Sequence, residues 1–209
     1  MRRIEVKACG LTSVEDARMC VDAGVDALGL NFWPGTPRRV DTAVARAIVE
    51  AFPRVESVGV FVDASLEEIR RLRDEVGFEW VQLHGDEDAS VVEALGPKAY
   101  KALGIAGQDD LARVAAYPGP RVLLDARVPG AMPGGTGHTF DWALAVAVAR
   151  ERELTLAGGL TPTNVAQAIA RVRPHRVDVA SGIERAPGLK DPDLVHAFVQ
   201  AVRATQLGG

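Results

Sequence analysis

The sequence predicts an α/β protein whose eight short strands alternate with eight helices and close into a (β/α)8 TIM barrel. Short β-branched or Leu-rich runs alternate with longer helical patterns from one end to the other, with no low-complexity linker between them; this is the pattern of a parallel sheet with crossover helices. Eight such units in 209 residues leave about 26 residues each, lean but workable for a barrel. The first strand also lacks the dinucleotide cradle of a doubly wound sheet: after Cys9 come Gly10, Leu11, Thr12 and Ser13, where G-x-G-x-x-G would be needed. The chain is read as a single barrel domain over residues 1–209.

Ile4–Cys9 is the first strand. Ser13, with Asp16 at capping-box spacing, starts the helix Ser13–Ala23, and Gly24 ends it. Ala27–Asn31 is the second strand, and Thr42–Phe52 the helix after a Pro/Gly-rich loop. Ser57–Phe61 leads into Ser65–Val76, started by Ser65 and Glu68 and stopped at Gly77. The second half repeats the unit: strands Trp80–Leu83, Ala99–Leu103, Arg121–Asp125, Leu154–Ala157 and Val177–Val179, each followed by a helix, at Asp88–Leu95, Gln108–Ala116, Trp142–Arg150, Asn164–Arg171 and Pro192–Ala204 respectively.

Composition narrows the function. Apolar residues make up 47% and charged residues 25%, as in an ordinary globular protein, which excludes a disordered chain. The longest apolar run, Trp142 to Ala149, is far short of the roughly 20 residues that cross a bilayer. No apolar segment follows Arg2 and Arg3, so a cytoplasmic protein is expected. A net charge of −4, only 5% aromatics and no Lys/Arg block argue against nucleic-acid binding. His138, His175 and His196 show no ligand spacing with one another, and Cys9 and Cys20 no metal-spaced cluster, so no metal site is expected.

In a barrel, function belongs at the C-terminal ends of the strands. Alternation in the first strand puts Glu5, Lys7 and Cys9 on one face and Val6 and Ala8 on the other. The helices outside take the apolar face, which turns Lys7 and Cys9 inward. A nearby ammonium favours the thiolate of Cys9, a base or nucleophile; the alternative is a small buried hydrophobe beside a lysine paired to an acid. Cys20, inside an amphipathic helix, is read as filler. Asp125 ends the apolar sixth strand as a candidate general acid, with desolvation expected to raise its pKa; a helix cap or loop anchor is the other reading. The loop from Ala126 to Thr139, with Gly130, Gly134, Gly135 and Gly137, has the length of a lid or binding loop.

Gly158 and Gly159 follow the seventh strand, and Ser181 and Gly182 the eighth. Barrels frequently bind phosphate there through backbone N–H groups, although tight turns alone also use glycine. Arg38, beside Arg39 in FWPGTPRR, suits bidentate recognition of a carboxylate. His84, sharing a strand face with Gln82, is read as structural or supporting. Phe32 and Trp33, at loop positions, are either substrate cover or an interface, so a monomer and a homodimer both stay open.

VKACGLT, GLNFWPGTPR, VGVFVD, VQLHGDE, LLDARVPGAMPGGTGHTFDW, LAGGLTPTNV and VDVASGIERAPGLKD together resemble phosphoribosylanthranilate isomerase of tryptophan biosynthesis, in order and over almost the whole chain. Ala8 stands where that family usually has Ile, and Ala180 where it has Ser; neither departure removes a reactive group. The resemblance implies an Amadori rearrangement of N-(5-phospho-ribosyl)anthranilate without a cofactor, an intramolecular oxidation–reduction. It implies Cys9 as general base, Asp125 as general acid, and Arg38 as holder of the anthranilate part. It further implies phosphate binding by the backbone at Gly158, Gly159, Ser181 and Gly182, with Lys7, Gly135 and Asp178 among the substrate-binding residues. Competing readings are another phosphate-gripping barrel, such as an indole-glycerol-phosphate synthase or a ribulose-phosphate epimerase, and a non-catalytic phosphosugar sensor. The synthase would carry more strand-end carboxylates and lysines, the epimerase metal-ligand histidines and acids, and the sensor would need neither Cys9 nor Asp125.

Overall fold

The structure, a computed structural model, describes residues 3–105, 107–126 and 141–207. Eight parallel strands, β1 (Glu5–Cys9), β2 (Ala27–Asn31), β3 (Glu56–Phe61), β4 (Trp80–Leu83), β5 (Ala99–Ile105), β6 (Arg121–Ala126), β7 (Glu153–Leu156) and β8 (Arg176–Val179), pair in chain order and close with β8 on β1. Around them run α1 (Val14–Asp22), α2 (Thr42–Ala51), α3 (Leu66–Val76), α4 (Ala89–Leu95), α5 (Ala143–Glu151), α6 (Val165–Val172) and α7 (Pro192–Leu207). The expected (β/α)8 barrel is the observed one, with strand limits within two residues of those read from the sequence.

The side-chain alternation of β1 organises the interior. Val6 and Ala8 point outward into the layer between sheet and helices, with Leu28, Leu30, Ile48, Ile69 and Val195 among their core partners. Cys9 packs instead on the inner cluster of Val58, Val60, Tyr100, Ala102, Leu123 and Ala157. The barrel centre is thus filled by side chains, and a cleft opens at its mouth. At its base, Arg176 Nε donates to Glu5 Oε2 at 3.0 Å and Arg121 Nη1 to Glu56 Oε1 at 3.1 Å. The Arg121 guanidinium lies 3.7 Å from the Trp80 ring centroid, a cation–π contact at the end of the barrel away from the site.

Local departures have local causes. Gln108–Ala116 forms a 3₁₀ helix where an α-helix was expected. Leu111, Val114 and Tyr117 pack against the core, and their three-residue spacing lines up on one face at 3.0 residues per turn. Ser13 Oγ accepts from the Asp16 N–H at 3.1 Å as the capping spacing requires. The Asp16 carboxylate, however, takes the backbone N–H of Lys190 at 3.0 Å. Phe32 is neither substrate cover nor an exposed interface residue: it is buried and stacks on Phe61 with ring centroids 5.2 Å apart. A hairpin that the sequence reading did not include, β9 (Glu184–Ala186) with β10 (Leu189–Lys190), stands between β8 and α7. Strands this short leave no readable alternation.

Candidate active site

At the C-terminal mouth of the barrel, a narrow cleft with a cavity volume of about 60 Å³ is lined by residues from seven strands and their loops. Cys9 comes from β1, Arg38 from the loop after β2, His84 from the end of β4, Asp125 from β6, Gly158 and Gly159 from the loop after β7, and Asp178 and Ser181 from β8 and its loop. Seven positions singled out in the sequence therefore meet in one cleft: Cys9, Arg38, Asp125, Gly158, Gly159, Asp178 and Ser181.

The Asp125 side chain is largely buried, and its Oδ2 lies 3.4 Å from His84 Nε2. His84 Nδ1 is in turn 3.4 Å from Gln82 Nε2. The histidine thus connects the strand-six carboxylate to the amide of Gln82, whose Oε1 accepts from Lys7 Nζ and from the Tyr100 hydroxyl, both at 3.0 Å. Lys7 is fully buried beneath the cleft floor and reaches the cleft through Gln82 and through Asp178, whose Oδ2 accepts from Nζ at 2.9 Å. Burial, the largest single influence, would discharge Lys7, but the Asp178 carboxylate together with the smaller effects of Cys9 and Tyr100 outweighs it, and the ammonium is held charged more firmly than an ordinary lysine.

Cys9 differs from the expectation of a thiol activated by that ammonium. Burial is the largest influence and raises its pKa above the ordinary 9.0, Lys7 and Lys190 only partly opposing it. The cleft therefore holds Cys9 as a thiol whose thiolate, when formed, is a strong base.

The glycine turns are sterically specified. Gly158 and Gly159 have φ of 88° and 60°, the left-handed region that glycine enters without strain. Asn164 braces this turn by donating Nδ2 to the Gly159 carbonyl at 2.8 Å and accepting the Thr161 N–H at 2.8 Å. A Cβ on Gly182 would come within 1.9 Å of the Leu160 carbonyl oxygen, so the turns after β7 and β8 touch backbone to backbone. Gly182 thus shapes the wall from behind Ser181. Gly135 and the rest of the 127–140 segment lie outside the described residues.

Two charged residues of the site escaped the sequence reading. Lys190 is fully buried, its Nζ donating to the Cys9 carbonyl at 2.6 Å and to Glu184 Oε1 at 3.0 Å. Glu184 in turn pairs with Arg38. A lysine in a turn-rich segment carries no periodic signal; the fully buried ammonium is visible only once the hairpin is placed.

Fold and cleft together define a (β/α)8-barrel enzyme with an ionisable cleft at the C-terminal mouth and glycine turns after strands seven and eight. The sequence matches the family model of N-(5'phosphoribosyl)anthranilate (PRA) isomerase over residues 6–201. It is 48% identical over 206 residues to N-(5'-phosphoribosyl)anthranilate isomerase of Pseudomonas fluorescens, covering 97% of each chain. It is 47% identical over 196 residues to that of Geobacter sp., covering 93% of this chain and 96% of the relative. The crystal structure of phosphoribosyl anthranilate isomerase from Thermotoga maritima superimposes with a TM-score of 0.87 at 38% identity, over 96% of this chain and 99% of that one. The chain belongs to the N-(5'-phosphoribosyl)anthranilate isomerase family. Its activity is the isomerisation of phosphoribosylanthranilate in tryptophan biosynthesis.

Proposed function

We propose that the cleft carries out this Amadori rearrangement by general acid–base catalysis, with Cys9 as base and Asp125 as acid. The observation that carries the assignment is the convergence of a thiol from β1 and a largely buried carboxylate from β6 on one cleft whose far wall is built from glycine turns. Asp125 gives a proton to the ribose ring oxygen, the C1–O bond breaks, and the open chain is a Schiff base. Cys9 then removes the C2 proton, and the electron pair moves toward nitrogen to leave an enolamine. Tautomerisation to 1-(2-carboxyphenylamino)-1-deoxyribulose 5-phosphate adds a proton at C1 and takes one from the 2-hydroxyl, and the thiol and carboxylate are reset. Oxidation at C2 balances reduction at C1, so no external redox partner enters.

The remaining residues hold the substrate. Arg38 receives the anthranilate carboxylate, and the backbone at Gly158, Gly159, Ser181 and Gly182 receives the phosphate. Asp178 Oδ1, buried and without a hydrogen-bond partner among the described residues, accepts a ribose hydroxyl, while Lys7 fixes its other oxygen. Gly135, in the glycine-rich segment, is assigned to substrate binding with them. All these residues come from one chain, so the working unit is one barrel whether or not two barrels pair. No described helix is long and apolar enough to cross a membrane, and an enzyme acting on a phosphorylated biosynthetic intermediate is placed in the cytoplasm.

A product analogue tests the pose. The reduced 1-(o-carboxyphenylamino)-1-deoxyribulose 5-phosphate is bound in one solved isomerase that is 36% identical to this chain, with a TM-score of 0.85 and coverage of 96% of this chain and 99% of that one. Titrated here, it is expected to bind Cys9→Ala and Asp125→Asn within about threefold of wild type and Arg38→Ala at least about tenfold more weakly. Equal weakening by all three substitutions would contradict the division between chemistry and binding.

A further inference from the structure

The hairpin after β8 is tied into the site by more than chain connectivity. Glu184 Oε1 and Oε2 accept from Arg38 Nε at 3.0 and 3.2 Å, and Oε2 also from Nη2 at 2.8 Å. This is a fork-to-carboxylate pairing that fixes the guanidinium plane. Behind it, the fully buried Lys190 ammonium donates to Glu184 Oε1, to the carbonyl of Cys9 and, at 3.4 Å, to that of Ala180. The Arg38 stem lies flat on Gly10, where a Cβ would come within 2.8 Å of Cδ, and the hairpin turn at Gly188 is anchored by the Thr12 hydroxyl at 2.7 Å.

From this geometry we infer that Glu184 is a positioning residue for substrate recognition: backed by Lys190, it holds the Arg38 guanidinium in the one orientation that presents Nη1 to an incoming aromatic carboxylate. Nη1 has no hydrogen-bond partner among the described residues, and Arg38 is part of the cleft wall. The chain of charges, ammonium, carboxylate, guanidinium, sums to one positive charge at the mouth, which favours an anionic substrate. Burial alone would raise the Glu184 pKa, but hydrogen bonds from Arg38 and Lys190 prevail and hold it below the ordinary carboxylate value. The orienting charge is therefore present throughout the neutral range. Without it, Arg38 would keep its charge and lose its direction.

The inference rests on the reading of Arg38 as the carboxylate anchor, and steady-state kinetics on wild type, Glu184→Gln, Arg38→Ala and the double variant separates the two. Glu184→Gln is expected to raise KM about tenfold with kcat within about threefold of wild type. It is expected to add nothing once Arg38 is alanine, because the two act as one unit. If Glu184→Gln fails to fold, Glu184→Asp, which keeps a charge beside Lys190 but shortens the reach to Arg38, carries the same comparison. Unchanged kinetics, a fall in kcat at constant KM, or the same fold-loss with and without Arg38 would overturn the positioning role and leave the anchor intact. An Arg38→Ala enzyme with unchanged kcat/KM would remove the anchor itself, and the positioning role with it.

Discussion

Lys7 and Asp178 face each other across the seam where β8 closes on β1, Nζ 2.9 Å from Oδ2 at paired register positions. Both are buried, and Asp178 Oδ1 has no hydrogen-bond partner among the described residues. Removing one partner of a buried ion pair leaves an uncompensated charge, at a cost of about 3–5 kcal/mol. Asp178→Ala is expected to lose stability in that range, and Lys7→Met in the same chain to recover most of it. Denaturant unfolding reads both. A double variant no more stable than Asp178→Ala would locate the loss elsewhere.

Gly182→Ala places a methyl group where the Leu160 carbonyl already sits, 1.9 Å away. The turns after β7 and β8 must then separate, and the backbone N–H groups proposed to receive the phosphate lose their arrangement. KM is expected to rise at least about tenfold, with a smaller change in kcat. Competitive inhibition by inorganic phosphate should weaken in parallel. Normal phosphate inhibition in a folded Gly182→Ala protein would place the phosphate elsewhere.

Burial holds the Cys9 thiol above its ordinary value, so thiolate is scarce at neutral pH and grows as alkali is added. The rate of Cys9 alkylation by iodoacetamide, which reads the thiolate alone and not the protonation of Asp125, is expected to be still rising at pH 9.0, the ordinary thiol value. An alkylation rate that levels off below about pH 8 would show that burial does not hold this thiol protonated.

At the base of the barrel, Glu5 is lowered from 4.5 to about 2, first by its hydrogen bond to His175 and then, against the opposing effect of burial, by Arg176. A depressed carboxylate contributes stability that is full above its unfolded value and fades as pH falls from 4.5 toward about 2. Glu5→Gln should therefore lower Tm at pH 7 and converge on wild type toward pH 2. Melting curves across that range test it, and a Tm difference that persists unchanged at pH 2 would contradict it.

Strands were legible because a buried parallel strand writes itself as a short apolar run, as Val122 to Leu124 do before Asp125. The alternation of Val6 and Ala8 against Lys7 and Cys9 sorted that strand's inward and outward faces. What stayed hidden depends on contacts distant in sequence. The thiol's direction of shift follows from how much water the closed barrel removes, which the proximity of Lys7 alone does not reveal. Phe32 looked like a loop residue because its stacking partners, Phe61 and Phe78, lie 29 and 46 positions onward. Lys190 and Glu184 gave no sign because their partners, Cys9 and Arg38, stand at the other end of the chain.

In the proposed reaction, Cys9 and Asp125 move the protons. The most direct measurement is anthranilate fluorescence during turnover, with substrate generated in situ from anthranilate and phosphoribosyl pyrophosphate, for wild type, Cys9→Ala and Asp125→Asn. Wild type is expected to consume the substrate, and each folded variant to lose at least about 10²-fold in kcat. A loss of about tenfold or less in either variant would remove that residue from its role.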